Sequence, residues 1–170
     1  MRYRALATDY DGTLAHHGSV SEETFEALRA VRRSQRLVLL VTGRELPDLK
    51  TVCPTLDVFD LIVAENGALL YTPATGAERL LCEPPPAEFV EALRERGVTP
   101  ISVGRAIVAT WEPHERTVIE TIRDLGLELH VIFNKGAVMV LPSGVNKASG
   151  LQAALATLGL SGEDAVGLGD

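Results

Sequence analysis

Two short, uninterrupted apolar runs constrain the fold of this chain more than anything else in it. Leu37–Val41 (LVLLV) and Leu61–Ala64 (LIVA) contain no polar residue. A strand with one face in water alternates apolar and polar residues, whereas runs like these belong to strands covered on both faces. Helices must supply the cover, and the neighbouring sequence provides them. Ser21 is a good N-cap ahead of Glu22 and Glu23, and Phe25, Leu28 and Val31 mark the apolar stripe of a helix reaching about residue 35. Residues 45–52 predict a second helix, with Pro47 tolerated in its first turn. Residues 5–8 read as a leading strand that ends at Asp9. The order strand, helix, strand, helix, strand implies a parallel sheet with helices on its faces.

The texture then changes. Residues 71–76 are turn-rich, and Pro84-Pro85-Pro86 is a stiff break. A helix is expected over 87–96, closed by Gly97, and a strand over 106–110. Pro113 opens another helix, striped by Val118, Ile119, Ile122 and Leu125 and ended by Gly126. Strands over 127–133 and 137–141 flank Asn134-Lys135-Gly136, a hairpin turn. The first texture returns with a helix over 147–158 and a strand, Ala165–Leu168. The expected organisation is an α/β core, residues 1–70 and 146–170, interrupted by a small α+β module at 71–145. A length of 170 residues, 46% hydrophobic and 23% charged, fits one domain or one domain with an inserted module.

The strongest chemical signal is Asp9-Tyr10-Asp11-Gly12-Thr13, directly after the first strand. In an open parallel sheet, ligands bind outside the carboxyl ends of the strands. Two carboxylates there, two residues apart, can face one site if the chain turns, and Gly12 favours a turn. Paired carboxylates repel unless a cation or a shared proton lies between them, and a hard divalent ion such as Mg²⁺ resolves the repulsion with oxygen ligands. A plain turn with solvated aspartates is the competing reading. Three other strand or helix ends add to the signal. Thr42-Gly43-Arg44 offers a hydroxyl and backbone N–H groups suited to a phosphate oxygen. Lys147 starts a helix, where a fixed positive charge can meet a phosphoryl group, and Asp170 ends the last strand as a further oxygen ligand.

On these residues the sequence resembles the haloacid dehalogenase (HAD) superfamily, specifically its Cof-type phosphatases with a C2-type (IIB) cap. Asp9-Tyr10-Asp11-Gly12-Thr13-Leu14 resembles the first family motif, Thr42-Gly43-Arg44 the second, Lys147 the third, and Gly167-Leu168-Gly169-Asp170 the start of the fourth. Glu65-Asn66-Gly67-Ala68 resembles the segment where this subgroup leaves its core. The resemblance implies a Rossmann-like core and hydrolysis of a small phosphomonoester, the phosphorylated metabolite partner of the chain. Asp9 is then the nucleophile that forms an aspartyl-phosphate, and Asp11 the general acid and base. Thr42 and Lys147 hold phosphoryl oxygens, assisted around Tyr10, Gly12, Thr13, Gly43 and Arg44, with Asn66 and Lys135 as further substrate-side candidates. Mg²⁺ would be held by Asp9, the backbone carbonyl of Asp11, and Asp170. The family's fourth motif continues past its first aspartate, so the resemblance also implies a C-terminal continuation of the natural chain, and weakened metal binding without it. A phosphomutase and a non-catalytic phosphate-binding module are the rival readings.

Other features read as structural. A net charge of -7 leaves no electrostatic footprint for nucleic acid or an anionic membrane. Leu37–Val41 is the longest strongly apolar run, too short to cross a bilayer, and the N-terminus lacks the features of a signal peptide. Cys53 and Cys82 have no metal-ligand spacing, so a reducing cytoplasm is the simplest compartment. Arg32, Arg33 and Arg36 complement a helix carboxyl end. His16 and His17 are expected to be solvated, Trp111 and Met139 to pack in the module's core, His114 to accompany Trp111, and Arg105 to be a surface charge.

Overall fold

A computed structural model describes residues 3–169. It forms two compact units, one comprising residues through Leu81 together with those from Asn146 on, the other Cys82–Val145. The first unit begins with β1 (Ala5–Asp9), α1 (Glu22–Arg33), β2 (Leu37–Val41), α2 (Leu46–Val52), β3 (Leu61–Ala64), β4 (Leu69–Thr72) and β5 (Ala77–Leu80). The second contains α3 (Ala87–Glu95), β6 (Ser102–Val103), β7 (Val108–Trp111), α4 (Glu115–Asp124), β8 (Leu129–Asn134) and β9 (Ala137–Pro142). The chain then returns to the first unit with α5 (Lys147–Thr157) and β10 (Ala165–Leu168).

The first unit is the expected α/β fold. Its sheet runs β10-β1-β2-β3-β4-β5, with the first four strands parallel. The two apolar runs occupy β2 and β3 inside the sheet, and both faces are covered. On one face Val38, Leu40 and Ile62 pack with Phe25 and Leu28 of α1 and Leu49 of α2. On the other, Leu39, Val41 and Val63 pack with Ala154 and Leu155 of α5. Truncating a side chain as buried as Leu39 to alanine costs about 2–5 kcal/mol. Ser21 caps α1 by accepting from the Thr24 N–H, and Asn146 with Ser149 forms a capping box at the start of α5.

The expected boundary at residue 70/71 moves to 81/82. Residues 71–81 do not belong to the inserted module, because β4 and β5 extend the core sheet as an antiparallel hairpin, β4 pairing with β3. β5 lies at a sheet edge, and its four residues are exposed, so no apolar pattern announces it. β10 forms the opposite edge, with Val166 and Leu168 exposed.

The second unit is an antiparallel sheet in the order β6-β7-β9-β8. Phe89, Val90 and Leu93 of α3, with Val118 and Ile122 of α4, pack against Val108, Val138 and Val140. Lys135 and Gly136 form the two-residue turn between β8 and β9, both at positive φ as that tight turn requires. Four expectations fail here. Trp111 is 53% exposed and Met139 only half-buried, because alternation along β7 and β9 turns both away from the helices. Ile119 is 50% exposed, and Thr121 is buried on α4 in its place. The expected strand over 106–110 begins at Val108 and runs to Trp111.

Candidate active site

Parallel pairing brings the candidate residues to one edge. Asp9 pairs with Val41, so Thr42 follows at the same carboxyl edge, and Thr8 pairs with Leu168, which carries Gly169 beside Asp9. After Asp9 the chain turns. The N–H groups of Leu14 and Ala15 donate to the Tyr10 carbonyl at 3.0 and 2.8 Å, and Gly12 takes φ +80°. The Tyr10 ring is fully buried, and its hydroxyl donates to the Val52 carbonyl at 3.3 Å. Burial pushes the Tyr10 hydroxyl pKa up to about 12, with the neighbouring Cys53 adding to the rise, and burial also pushes the Cys53 thiol up. The tyrosine is therefore an anchor for the turn.

The turn sends its two carboxylates to different partners. Lys147 Nζ donates to both oxygens of Asp9, at 3.0 and 3.1 Å, and the Tyr10 N–H donates to Asp9 Oδ1 at 2.8 Å. This ion pair is partly sheltered, the Asp9 side chain being 19% exposed and that of Lys147 42%. Asp11 instead receives both arms of Arg44, Nε and Nη2 each at 2.8 Å. Arg44 also donates to Asp48 and lies over the Tyr10 ring, 5.5 Å from its centroid. Asp11, then Asp48, raises the arginine's already high pKa, so the guanidinium stays charged. Arg44, expected on the phosphate side, thus faces Asp11. Asp48 escaped the sequence reading, although its i,i+4 spacing from Arg44 was a usable signal.

Thr42 is fully buried, and its Oγ1 accepts from the Arg44 N–H at 3.1 Å. Asn66 is buried against Gly43. Thr13 Oγ1 is buried without a hydrogen-bond partner, a polar atom beside the Asp9–Asp11 turn able to serve an oxygen-rich ligand. Lys135, Arg105, His16 and His17 are exposed. His114 Nε2 lies 3.0 Å from the Thr99 carbonyl. Asp170 lies outside the described residues. The donor chemistry fits a hard divalent cation, since the Asp9 carboxylate and the Asp11 carbonyl are oxygen ligands. Among the described residues no group of three or more His, Cys, Asp or Glu side chains is placed to hold a metal.

Fold and site together define an α/β protein whose charged centre lies at the carboxyl edge of a parallel sheet. A family model for haloacid dehalogenase-like hydrolases matches residues 6–98. A phosphoglycolate phosphatase of Methanothermobacter thermautotrophicus is 28% identical, the match covering 98% of this chain and 77% of that protein. One of Halorubrum lacusprofundi is 30% identical, over 97% of this chain and 75% of that protein. Among solved structures, a haloacid dehalogenase-like hydrolase from Bacteroides thetaiotaomicron superposes with a TM-score of 0.77 at 16% identity, covering 99% of this chain and 82% of that one. The HAD subclass IIB sugar phosphatase BT4131 superposes at 0.72 and 18% identity, covering 96% and 79%. The chain belongs to the haloacid dehalogenase-like hydrolases, as one of the phosphatases of that family. Among the described residues no helix is long and apolar enough to cross a membrane.

Proposed function

We propose that this phosphatase hydrolyses a small phosphomonoester through a phosphoryl group carried on Asp9. The observation that carries the reading is the Asp9–Lys147 pair at the carboxyl edge of the sheet. A sheltered carboxylate beside a fixed cation is a nucleophile already next to the charge that phosphoryl oxygens need. In the first half-reaction an Asp9 oxygen attacks phosphorus, the bond to the leaving oxygen breaks, and the Asp11 carboxylic acid gives that oxygen its proton. In the second, the Asp11 carboxylate takes a proton from water. The water oxygen then attacks phosphorus, and the bond to Asp9 breaks to release inorganic phosphate. The bidentate hold of Arg44 suits the ionised, proton-accepting form of Asp11, so delivering a proton requires that side chain to leave the arginine.

Thr42 and Lys147 would grip the phosphoryl oxygens, with Thr13 and the N–H groups from Tyr10 to Gly12 and at Gly43 assisting. Bound Mg²⁺ supplies charge neutralisation at those oxygens, and Asp9, the Asp11 carbonyl and Asp170 are the proposed ligands. The unit Cys82–Val145 is proposed as the C2-type cap, with Lys135 as a substrate-side cation. The names of the relatives make phosphoglycolate the first substrate to try, with sugar phosphates next. The test is phosphate release from this panel with Mg²⁺ and with EDTA. Release from a small phosphomonoester that stops on chelation supports the reading; release undiminished in EDTA removes the metal from it, and no release from any member removes the substrate class.

A further inference from the structure

At the carboxyl end of β3 three consecutive residues have left-handed backbone: Glu65, Asn66 and Gly67, at φ +50°, +53° and +106°. Two of them are not glycine. Glu65 is 0% and Asn66 6% exposed. Such backbone is costly at a glutamate and persists where the surroundings over-determine it. Those surroundings are the two loops that carry Thr42 and Lys147. On one side the Asn66 N–H donates to the Thr42 carbonyl at 3.1 Å, and the Glu65 N–H to the Arg44 carbonyl at 3.0 Å. The Asn66 amide also closes on Gly43, where an added Cβ would lie 3.0 Å from Asn66 Oδ1. On the other side a Cβ on Gly67 would lie 1.9 Å from the Asn146 carbonyl oxygen, at the start of α5. One turn further along, a Cβ on Gly150 would lie 2.5 Å from Gly67 Cα. A single strained segment therefore bears on both loops without slack.

We infer that Glu65–Gly67 is a brace that fixes the spacing between the Thr42–Arg44 turn and the Lys147 end of α5, with Asn66 as its positioning residue. The inference rests on the phosphatase reading for its purpose, since that spacing lets Thr42 and Lys147 meet one phosphoryl group. It assigns Asn66 a role through Gly43 and Thr42, in place of direct contact with substrate.

Asn66→Gly separates this role from that of a turn residue. Glycine relaxes the φ while removing the amide that stops Gly43. A turn residue would be expendable, leaving stability and kinetics unchanged. The brace predicts a folded variant whose amide hydrogens at 42–44 and 147–150 exchange faster, with kcat down about tenfold and KM changed less. Asn66→Asp, similar in shape and tolerant of positive φ, restores slow exchange. If Asn66→Gly does not fold, Gly43→Ala tests the same contact, because its methyl would lie 3.0 Å from Asn66 Oδ1 and the buried amide or the turn must give by a few tenths of an ångström. Unchanged exchange in both segments of Asn66→Gly, or at 42–44 of Gly43→Ala, overturns the brace. Wild-type protein inactive on every phosphomonoester would overturn the phosphatase reading alone, and the exchange data would still decide the brace.

Discussion

Gly150 lies inside α5, where replacing glycine with alanine ordinarily stabilises a helix by about 1 kcal/mol. Here the sign should reverse. A methyl at Gly150 would sit 2.5 Å from Gly67 Cα, 2.6 Å from Val63 Cγ1 and 3.0 Å from the Gly67 carbonyl oxygen. Ordinary contacts begin near 3.4 Å. The nearest neighbour is backbone in a left-handed segment and cannot swing aside, so α5 must lift from β3 by something approaching an ångström. Overpacking of this kind costs about 1–3 kcal/mol, and at its upper end it outweighs the propensity gain by roughly 2 kcal/mol. That corresponds to a fall in Tm of about 4–8 °C for a chain of this size. The same lift moves Lys147, which heads the helix and holds Asp9 at 3.0 Å, so activity per folded molecule should fall as well. The assay is calorimetric melting of Gly150→Ala beside Gly162→Ala, where an added Cβ meets nothing within 4 Å. Gly162→Ala should stay within about 0.5 kcal/mol of wild type. A Gly150→Ala protein more stable than wild type by the ordinary helix gain of about 1 kcal/mol would refute the claim that α5 is seated directly on the Gly67 backbone.

Other expectations concern Tyr10 and Arg44. The Tyr10 pKa is raised from 10.0 to about 12, so its protonated form contributes stability that is fully present below pH 10 and is lost as pH rises toward 12. The loss should reach roughly 2–3 kcal/mol, read from urea midpoints on either side of that window. Tyr10→Phe should lose about 1 kcal/mol at neutral pH and show a shallower alkaline decline; an unchanged decline would place the titration elsewhere. Arg44→Gln should cost no more than about 1 kcal/mol of stability, because its carboxylate partners are about half exposed. Because Asp11 must leave Arg44 to deliver its proton, Arg44→Gln should slow hydrolysis of an alkyl phosphate, whose leaving oxygen needs that proton, no more than that of p-nitrophenyl phosphate. A loss selective for the alkyl phosphate would mean that Asp11 delivers its proton while still held by Arg44.

What could be read in the sequence was whatever depended on patterns along the chain. Leu37–Val41 and Leu61–Ala64 announced strands covered on both faces, and a parallel sheet gathers whatever follows each strand at one edge. Asp9 and Thr42 could be assembled from that rule, whereas Lys147, which starts α5 and follows no strand of that sheet, was reached through its helix start and the family resemblance. The β4–β5 hairpin was hidden because β5, Ala77–Leu80, is a polar edge strand whose pairing comes from backbone groups. Trp111 was misjudged because ring size argues for burial, while strand alternation, which decides the face, depends on a register that composition does not carry. The partner of Arg44 was out of reach for another reason. Both a phosphate and Asp11 satisfy a guanidinium, and only the turn that aims Asp11 at Arg44 distinguishes them. Glu65–Gly67 was reached only through the family resemblance, and nothing about Glu65 foretells left-handed backbone.

The most direct test of the central claim is to trap the phosphoryl group on the protein. A single turnover with a phosphomonoester substrate would be quenched in acid during the reaction, and the digested chain examined by mass spectrometry. The account predicts one phosphoryl group on the peptide that contains Asp9, absent from the Asp9→Asn protein, which should not turn over. Hydrolysis by Asp9→Asn at a rate comparable to wild type would contradict it, because the nucleophile would then have to be another group.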